Sequence, residues 1–197
     1  MRLVLLYLYI VLASFTLQKD KFTAKRWVIT TGCSLKVDGS TNVNEFSCAI
    51  TNYSRPDTIQ VSWRSDQPVQ MSGSIRLDVQ HFDCHNPVMT ADLRKTLKAK
   101  EYPLLGIRFL SLAQYPDAGT RQKTMRGAVI IELAGVSKRF DVDYKVVSVE
   151  GNYINLVGSR EVRFSDFNIS PPRKLGGMIR TNNELSVVFN LRLKVLD

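Results

Sequence analysis

Potential metal ligands and nucleophiles crowd together at one place in the sequence, His81-Phe82-Asp83-Cys84-His85. Imidazole, thiolate and carboxylate in such a group would suit zinc or copper. The chain has only two His, however, and both are in this pentapeptide. That leaves no supply for a multi-histidine centre, and the only other Cys are Cys33 and Cys48. The segment reads as a loop or strand end, so the i,i+4 convergence of a helix does not apply. No nucleophile elbow surrounds either His, and no phosphate-binding loop, dinucleotide fingerprint or HExxH string occurs. The acidic residues mostly alternate outward on strands, which suits solvation better than paired acid–base work. The sequence therefore assigns no catalytic residue, no metal ligand and no cofactor, and predicts a non-enzyme.

Whether Cys84 is a ligand at all depends on the compartment. Met1 and Arg2 precede an apolar run, Leu3 to Phe15, of about 13 residues, which has the length of a signal-peptide core and falls short of a membrane span. The alternatives are a buried N-terminal helix or a membrane anchor. Small residues at Val11/Ala13 or Ser14/Thr16 could define cleavage, and neither pair is a clean A-x-A site. The reading adopted is a signal peptide over 1–18, a single domain over 19–197, and a periplasmic or secreted product. Oxidising surroundings favour pairing of thiols. Cys48 in Phe46-Ser47-Cys48 and Cys84 in Phe82-Asp83-Cys84 each follow an aromatic by two, so the predicted disulfide is Cys48–Cys84, with Cys33 free. Three unpaired thiols are the alternative.

The rest of the chain must position these groups, and it reads as strand after strand. Ile59, Val61 and Trp63 share one face, and Ile75, Leu77 and Val79 another. The same alternation runs through Ile107 and Phe109; Val129, Ile131 and Leu133; Phe140, Val142, Tyr144 and Val146; and Leu185, Val187, Phe189, Leu191 and Leu193. Tyr153–Val157 and Val162–Phe164 add two shorter strands. One apolar and one polar face per strand marks antiparallel sheet. Turn signals fall at Asp38-Gly39, Arg55-Pro56-Asp57, Tyr115 to Gly119, Glu150-Gly151-Asn152 and Gly176-Gly177.

One stretch breaks the pattern. Met89, Leu93 and Leu97 recur every fourth residue, behind a capping Asn86 and a Pro87 suited to the first helical position. A short helix over about 87–99 is predicted. A sandwich or a closed barrel would satisfy the strands, and long alternating strands with one inserted helix favour the barrel. The fold class is all-β: an antiparallel β-barrel of about eight strands with one short inserted helix.

Four strings of the sequence carry a resemblance. Leu77 to Phe109 (LDVQHFDCHNPVMTADLRKTLKAKEYPLLGIRF), Leu35 to Cys48, Gly127 to Tyr144 and Ser165 to Leu191 together resemble the YceI-like family in order and spacing. In that comparison Gly135-Val136-Ser137-Lys138 matches the turn of a family hairpin. The paired Phe-x-Cys elements resemble an exported subgroup from Bacteroidetes-type bacteria. The chain departs from better-known members at His81-Phe82, where Ser-Ile is common, at Cys84, where Thr is common, and around Met89 to Asp92, so a head-group preference does not transfer. The resemblance implies a lipocalin-like antiparallel barrel of about eight strands, with a helix near one end, that holds a long apolar chain, a polyisoprenoid, fatty acid or fatty amide, for lipid carriage or a stress response. The inward residues assigned to that lumen are Ile75, Leu77, Ile107, Phe109, Ile131, Phe140, Val142, Tyr144, Leu156, Phe164, Val187, Phe189 and Leu191, with the Tyr144 hydroxyl a candidate contact for a polar head.

The alternative is a solid barrel acting as a structural or interaction module. Lys plus Arg number 27 against 18 Asp plus Glu. The excess includes Arg94, Lys95, Lys98, Lys100, Arg121, Lys123, Arg126, Arg173 and Lys174, which would favour transient contact with an anionic membrane surface. A solvated, solubilising surface explains the same charges. Nucleic acid is not an expected partner, since no aromatic–basic recognition motif occurs. A homodimer is compatible with the pattern but not required by it.

Overall fold

The computed structural model describes residues 22–53, 55–65 and 67–196. The segment read as a signal peptide lies outside them. Eleven strands form one sheet: β1 (Thr23–Ile29), β2 (Cys33–Thr41), β3 (Glu45–Tyr53), β4 (Thr58–Trp63), β5 (Val69–Asp78), β6 (Leu104–Leu112), β7 (Thr124–Leu133), β8 (Val136–Glu150), β9 (Tyr153–Arg163), β10 (Arg173–Lys174) and β11 (Ile179–Leu196). Among the described residues a single α-helix, α1 (Pro87–Thr96), lies between β5 and β6.

The sheet closes on itself. Its order is β1-β4-β5-β6-β7-β8-β9-β11, and β11 pairs back onto β1. Every pairing is antiparallel, and the closing register sets Ile29 against Leu193 and Trp27 against Val195. This is the expected eight-strand barrel, and closure leaves no exposed edge in the ring. β1 and β2 run along the same edge of β11, β1 against its last residues and β2 against Thr181–Asn190. The break between them is held where the Thr30 N–H and hydroxyl both donate to the Arg192 carbonyl, at 2.9 and 3.0 Å.

At the far end of the barrel β3 pairs β2 and ends the strand order. The loop after β5 fills the gap beside it. Ala49 and Asp83 exchange two backbone hydrogen bonds, 2.8 and 2.9 Å, and a disulfide joins Cys48 to Cys84. Cys33 is free and buried. Its thiol donates to the Thr30 carbonyl at 3.2 Å, and burial pushes its pKa up, so it stays a protonated core group.

Several boundaries differ from the sequence reading, each for a local reason. Tyr153–Val157 and Val162–Phe164 belong to one strand, β9, which ends at Arg163; Phe164 opens a 3₁₀ turn. The intervening Gly158 does not interrupt the strand; it makes room for a ring, since a Cβ there would sit 2.2 Å from Phe189. Asp38-Gly39 lies inside β2 rather than in a turn. The chain reverses between Thr41 and Asn44, where the Thr41 hydroxyl accepts from the Val43 and Asn44 N–H groups. The β7–β8 turn is Ala134-Gly135, both at positive φ (50° and 80°), and Val136 already belongs to β8. Finally, α1 stops at Thr96 rather than 99, because Lys98 turns left-handed at φ 53°.

Candidate functional site

The inward faces meet in one continuous apolar core. Away from α1 that core is filled. Trp27, Ile59 and Val61 are sealed from solvent, and Phe109, Tyr144 and Leu156 are nearly so. Tyr144 meets Phe189 edge-on, with ring centroids 5.6 Å apart. Burial raises the pKa of the Tyr144 hydroxyl, which keeps it neutral.

Packing loosens at the end covered by α1. A cavity of about 60 Å³ lies there, walled only by apolar side chains: Leu35 and Val37 of β2, Leu105 and Ile107 of β6, Ile131 and Leu133 of β7, Val162 of β9, Leu185 and Val187 of β11, and Phe167. Phe82, Leu93 and Leu97 form its roof. A second void of about 10 Å³ lies deeper, beside Ile75, Leu77, Phe189 and Leu191.

The roof is held by polar contacts at its margins. The Asn86 side chain caps α1, accepting from the Val88 and Met89 N–H groups at 3.0 Å each. The Cys84 N–H donates to the Thr90 hydroxyl at 3.0 Å. The Arg94 guanidinium donates to the Phe82 carbonyl at 2.9 Å. These bonds, with the disulfide, turn Phe82 inward from a segment whose neighbours His81 and Asp83 are exposed.

Outside the roof, a groove of about 180 Å³ runs between α1 and the β10–β11 region, lined by Phe46, Met89, Leu93, Phe164, Ile179 and their neighbours. Lys174 of β10 pairs with Asp92 of α1 across it. Leu93 lies on both the groove and the inner cavity. A wider hollow of about 880 Å³ on the outer face of β8 and β9 is lined largely by charged residues of both signs, two pairs of which are bridged, Lys138–Asp166 and Arg163–Glu184.

The thirteen residues assigned to the lumen thus fall into separate places. Ile107, Ile131 and Val187 line the 60 Å³ cavity. Ile75, Leu77, Phe189 and Leu191 border the deeper void, with Ile107 between the two. Phe109, Val142, Tyr144 and Leu156 are buried in the core, Phe140 packs on Phe167, and Phe164 faces the outer groove. The roof residues Phe82, Leu93 and Leu97 were absent from that assignment. The four-residue spacing of Leu93 and Leu97 was the available signal, and it was read only as a helix stripe. Among the described residues no group of three His, Cys, Asp or Glu is placed to hold a metal ion. His81 and His85 are exposed, and Cys84 is bonded to Cys48. No helix among the described residues is long and apolar enough to cross a membrane.

A closed antiparallel barrel roofed by one short helix over an apolar cavity defines a lipocalin-like architecture. The profile of the YceI-like domain matches residues 15–193, and the chain belongs to that family. Among solved structures, Burkholderia cenocepacia BcnA is similar with a TM-score of 0.62 at 18% identity, over 81% of this chain and 95% of that one. A polyisoprenoid binding domain from Saccharophagus degradans, implicated in plant cell wall breakdown, is similar with a TM-score of 0.58 at 12% identity, over 87% and 98% of the two chains. At such identities the likeness is one of fold. No curated protein matches the sequence.

Proposed function

We propose that the protein is a non-catalytic carrier that holds a long apolar chain, a polyisoprenoid, fatty acid or fatty amide, beneath the α1 roof. The observation that carries this reading is the all-apolar cavity at the one end of the barrel closed by a helix instead of strands. The family and the polyisoprenoid binding neighbour support it. Each methylene taken from water into such a site contributes about 0.8 kcal/mol, so tail length governs affinity.

At about 60 Å³ the cavity is well below the roughly 300–1,000 Å³ of pockets that enclose a ligand. Loading therefore requires the roof to move outward, and Phe82, Leu93 and Leu97 are the side chains that move. The same small volume favours a second reading, a barrel packed solid and used as a structural module. Solvent extraction of the purified protein followed by mass spectrometry separates the two, together with uptake of a fluorescent fatty acid. A carrier yields a long-chain species or takes up the probe; absence of both assigns the solid barrel. Export to the periplasm or medium belongs to this proposal, and an intact Met1 on the protein recovered from the exported fraction would remove it.

A further inference from the structure

The rim of the roofed end combines features that the core does not need. Val43, Val88, Leu175 and Met178 are large apolar side chains left 65–75% exposed. They come from three separate segments, the β2–β3 turn, the first turn of α1, and the 3₁₀ turn between β10 and β11. The fold draws these segments together. The Asn42 side chain donates to the Met178 carbonyl at 2.9 Å and accepts from the Arg180 N–H at 2.9 Å. Lys174, next to Leu175, pairs with Asp92, one helical turn after Val88 and on the same side of α1. Scattered exposed apolar residues need no explanation, but a cluster at one end of a molecule does.

The charges around this rim have one dominant sign. The 173–180 segment carries Arg173, Lys174 and Arg180 and no acid, and Lys95 is exposed on α1. The nearby acids are Asp92, already paired with Lys174, Glu45 at the start of β3, and the exposed Asp83 in the loop before α1. Apolar tips set among cations suit the interfacial zone of an anionic bilayer, where side chains enter the headgroup–acyl boundary and Lys and Arg meet phosphates. Beneath the rim lies the apolar groove between α1 and β10, whose lining residue Leu93 also borders the inner cavity.

We infer that this rim docks on an anionic lipid surface, with Leu175, Met178, Val43 and Val88 entering the interface and Arg173 and Arg180 on the headgroups. Docking itself does not depend on a loaded lumen; the significance of its orientation, groove toward lipid, rests on the carrier reading. The seating also brings phosphates to Lys174, where they compete with Asp92 for the cation that ties α1 to β10.

The test is co-flotation of the full chain with phosphatidylcholine vesicles, with and without phosphatidylglycerol, for wild type, Leu175→Glu/Met178→Glu and Arg173→Glu. All three carry the same N-terminal segment, so a difference between them reports the rim. The expected result is partitioning that needs the anionic lipid and weakens with salt. The double variant should lose at least about tenfold, since two apolar side chains no longer transfer, and Arg173→Glu about fivefold or more. Equal partitioning of all three, or no partitioning of wild type, overturns the inference. Light scattering of lipid-free protein adds one more outcome: a dimer abolished by the double variant assigns the rim to a second copy of the chain and also overturns it. Extracted lipid is measured in the same preparations. Rim-dependent flotation without any bound long-chain species keeps the docking and ends the carrier reading; bound lipid without flotation does the reverse.

Discussion

Arg94 holds Phe82 over the cavity. Its guanidinium, on the third turn of α1, donates to the Phe82 carbonyl at 2.9 Å across twelve residues of chain, and Phe82 is 2% exposed. A hydrogen bond to a charged donor contributes about 1.5–3 kcal/mol. Arg94→Met should keep the aliphatic packing and lose that bond. The expected outcome is a lower thermal midpoint, by a few °C, with faster amide exchange confined to the 79–86 loop and α1. Exchange that rises uniformly over the barrel would show that Arg94 does not act on the roof.

The Cys48–Cys84 disulfide ties that loop to β3 over a sequence separation of 36. Constraining a loop of this length contributes about 3–4 kcal/mol on the chain-entropy view. Cys48→Ser/Cys84→Ser should lower the urea midpoint accordingly, and reductant should then leave the variant unaffected while lowering wild type. A reductant-insensitive wild type would show that the bond does not form.

Filling the cavity separates the carrier from the solid barrel. Val187→Phe places a ring at a half-buried position on its wall. Ligand capacity, measured as extracted lipid per protein, is expected to fall severalfold, while stability falls by no more than about 1–3 kcal/mol. Unchanged capacity would place the ligand elsewhere.

Gly158 and Phe189 form a complementary pair across β9 and β11. Gly158→Ala would put a Cβ 2.2 Å from the Phe189 ring, and overpacking of this kind costs about 1–3 kcal/mol or more. Phe189→Leu should recover part of that loss in the double variant, read from urea denaturation of all four proteins. Strict additivity would mean that the ring does not occupy the glycine notch.

Asp166 gives the pH dependence. Against a desolvation that raises its pKa, the Lys138 ammonium at 2.6 Å and the Arg163 N–H at 2.8 Å hold its carboxyl below the ordinary value. A depressed pKa means the contribution is present above the unfolded carboxylate pKa and disappears as pH falls through the folded one. Asp166→Asn should therefore cost about 1 kcal/mol at neutral pH, a cost that shrinks as pH falls through the folded-state pKa and disappears once the carboxyl is protonated in both the folded and the unfolded chain. A gap that persists in acid would assign the loss to the amide's geometry.

The barrel was legible because its strands alternate cleanly. Leu185 to Leu193 on β11 and Phe140 to Val146 on β8 show their inward faces in the sequence, and the helix announces itself through Asn86-Pro87 and the Leu93–Leu97 spacing. What alternation does not encode is how full the interior is. That depends on notches such as Gly158 under Phe189 and Gly127 under Tyr144, which join residues on different strands. For the same reason Gly39 looked like a turn: a Cβ there would meet Phe46 at 2.4 Å and Leu185 at 2.7 Å, partners 7 and 146 positions away in the chain. Phe82 read only as the aromatic of a Phe-x-Cys element in a loop or strand end, because its inward direction is set by its segment's contacts with Arg94 and Thr90, beyond the reach of any period.

The ring is stitched shut by only four residue pairs, Arg26–Leu196 to Ile29–Leu193, drawn from near opposite ends of the sequence. Every other neighbour in the ring except β1–β4 and β9–β11 follows directly in chain order, so most of the wall can assemble progressively as hairpins. The seam must wait for the last strand and bear the entropy of the longest loop in the molecule. Loop-closure entropy thus makes it the pairing expected to form last.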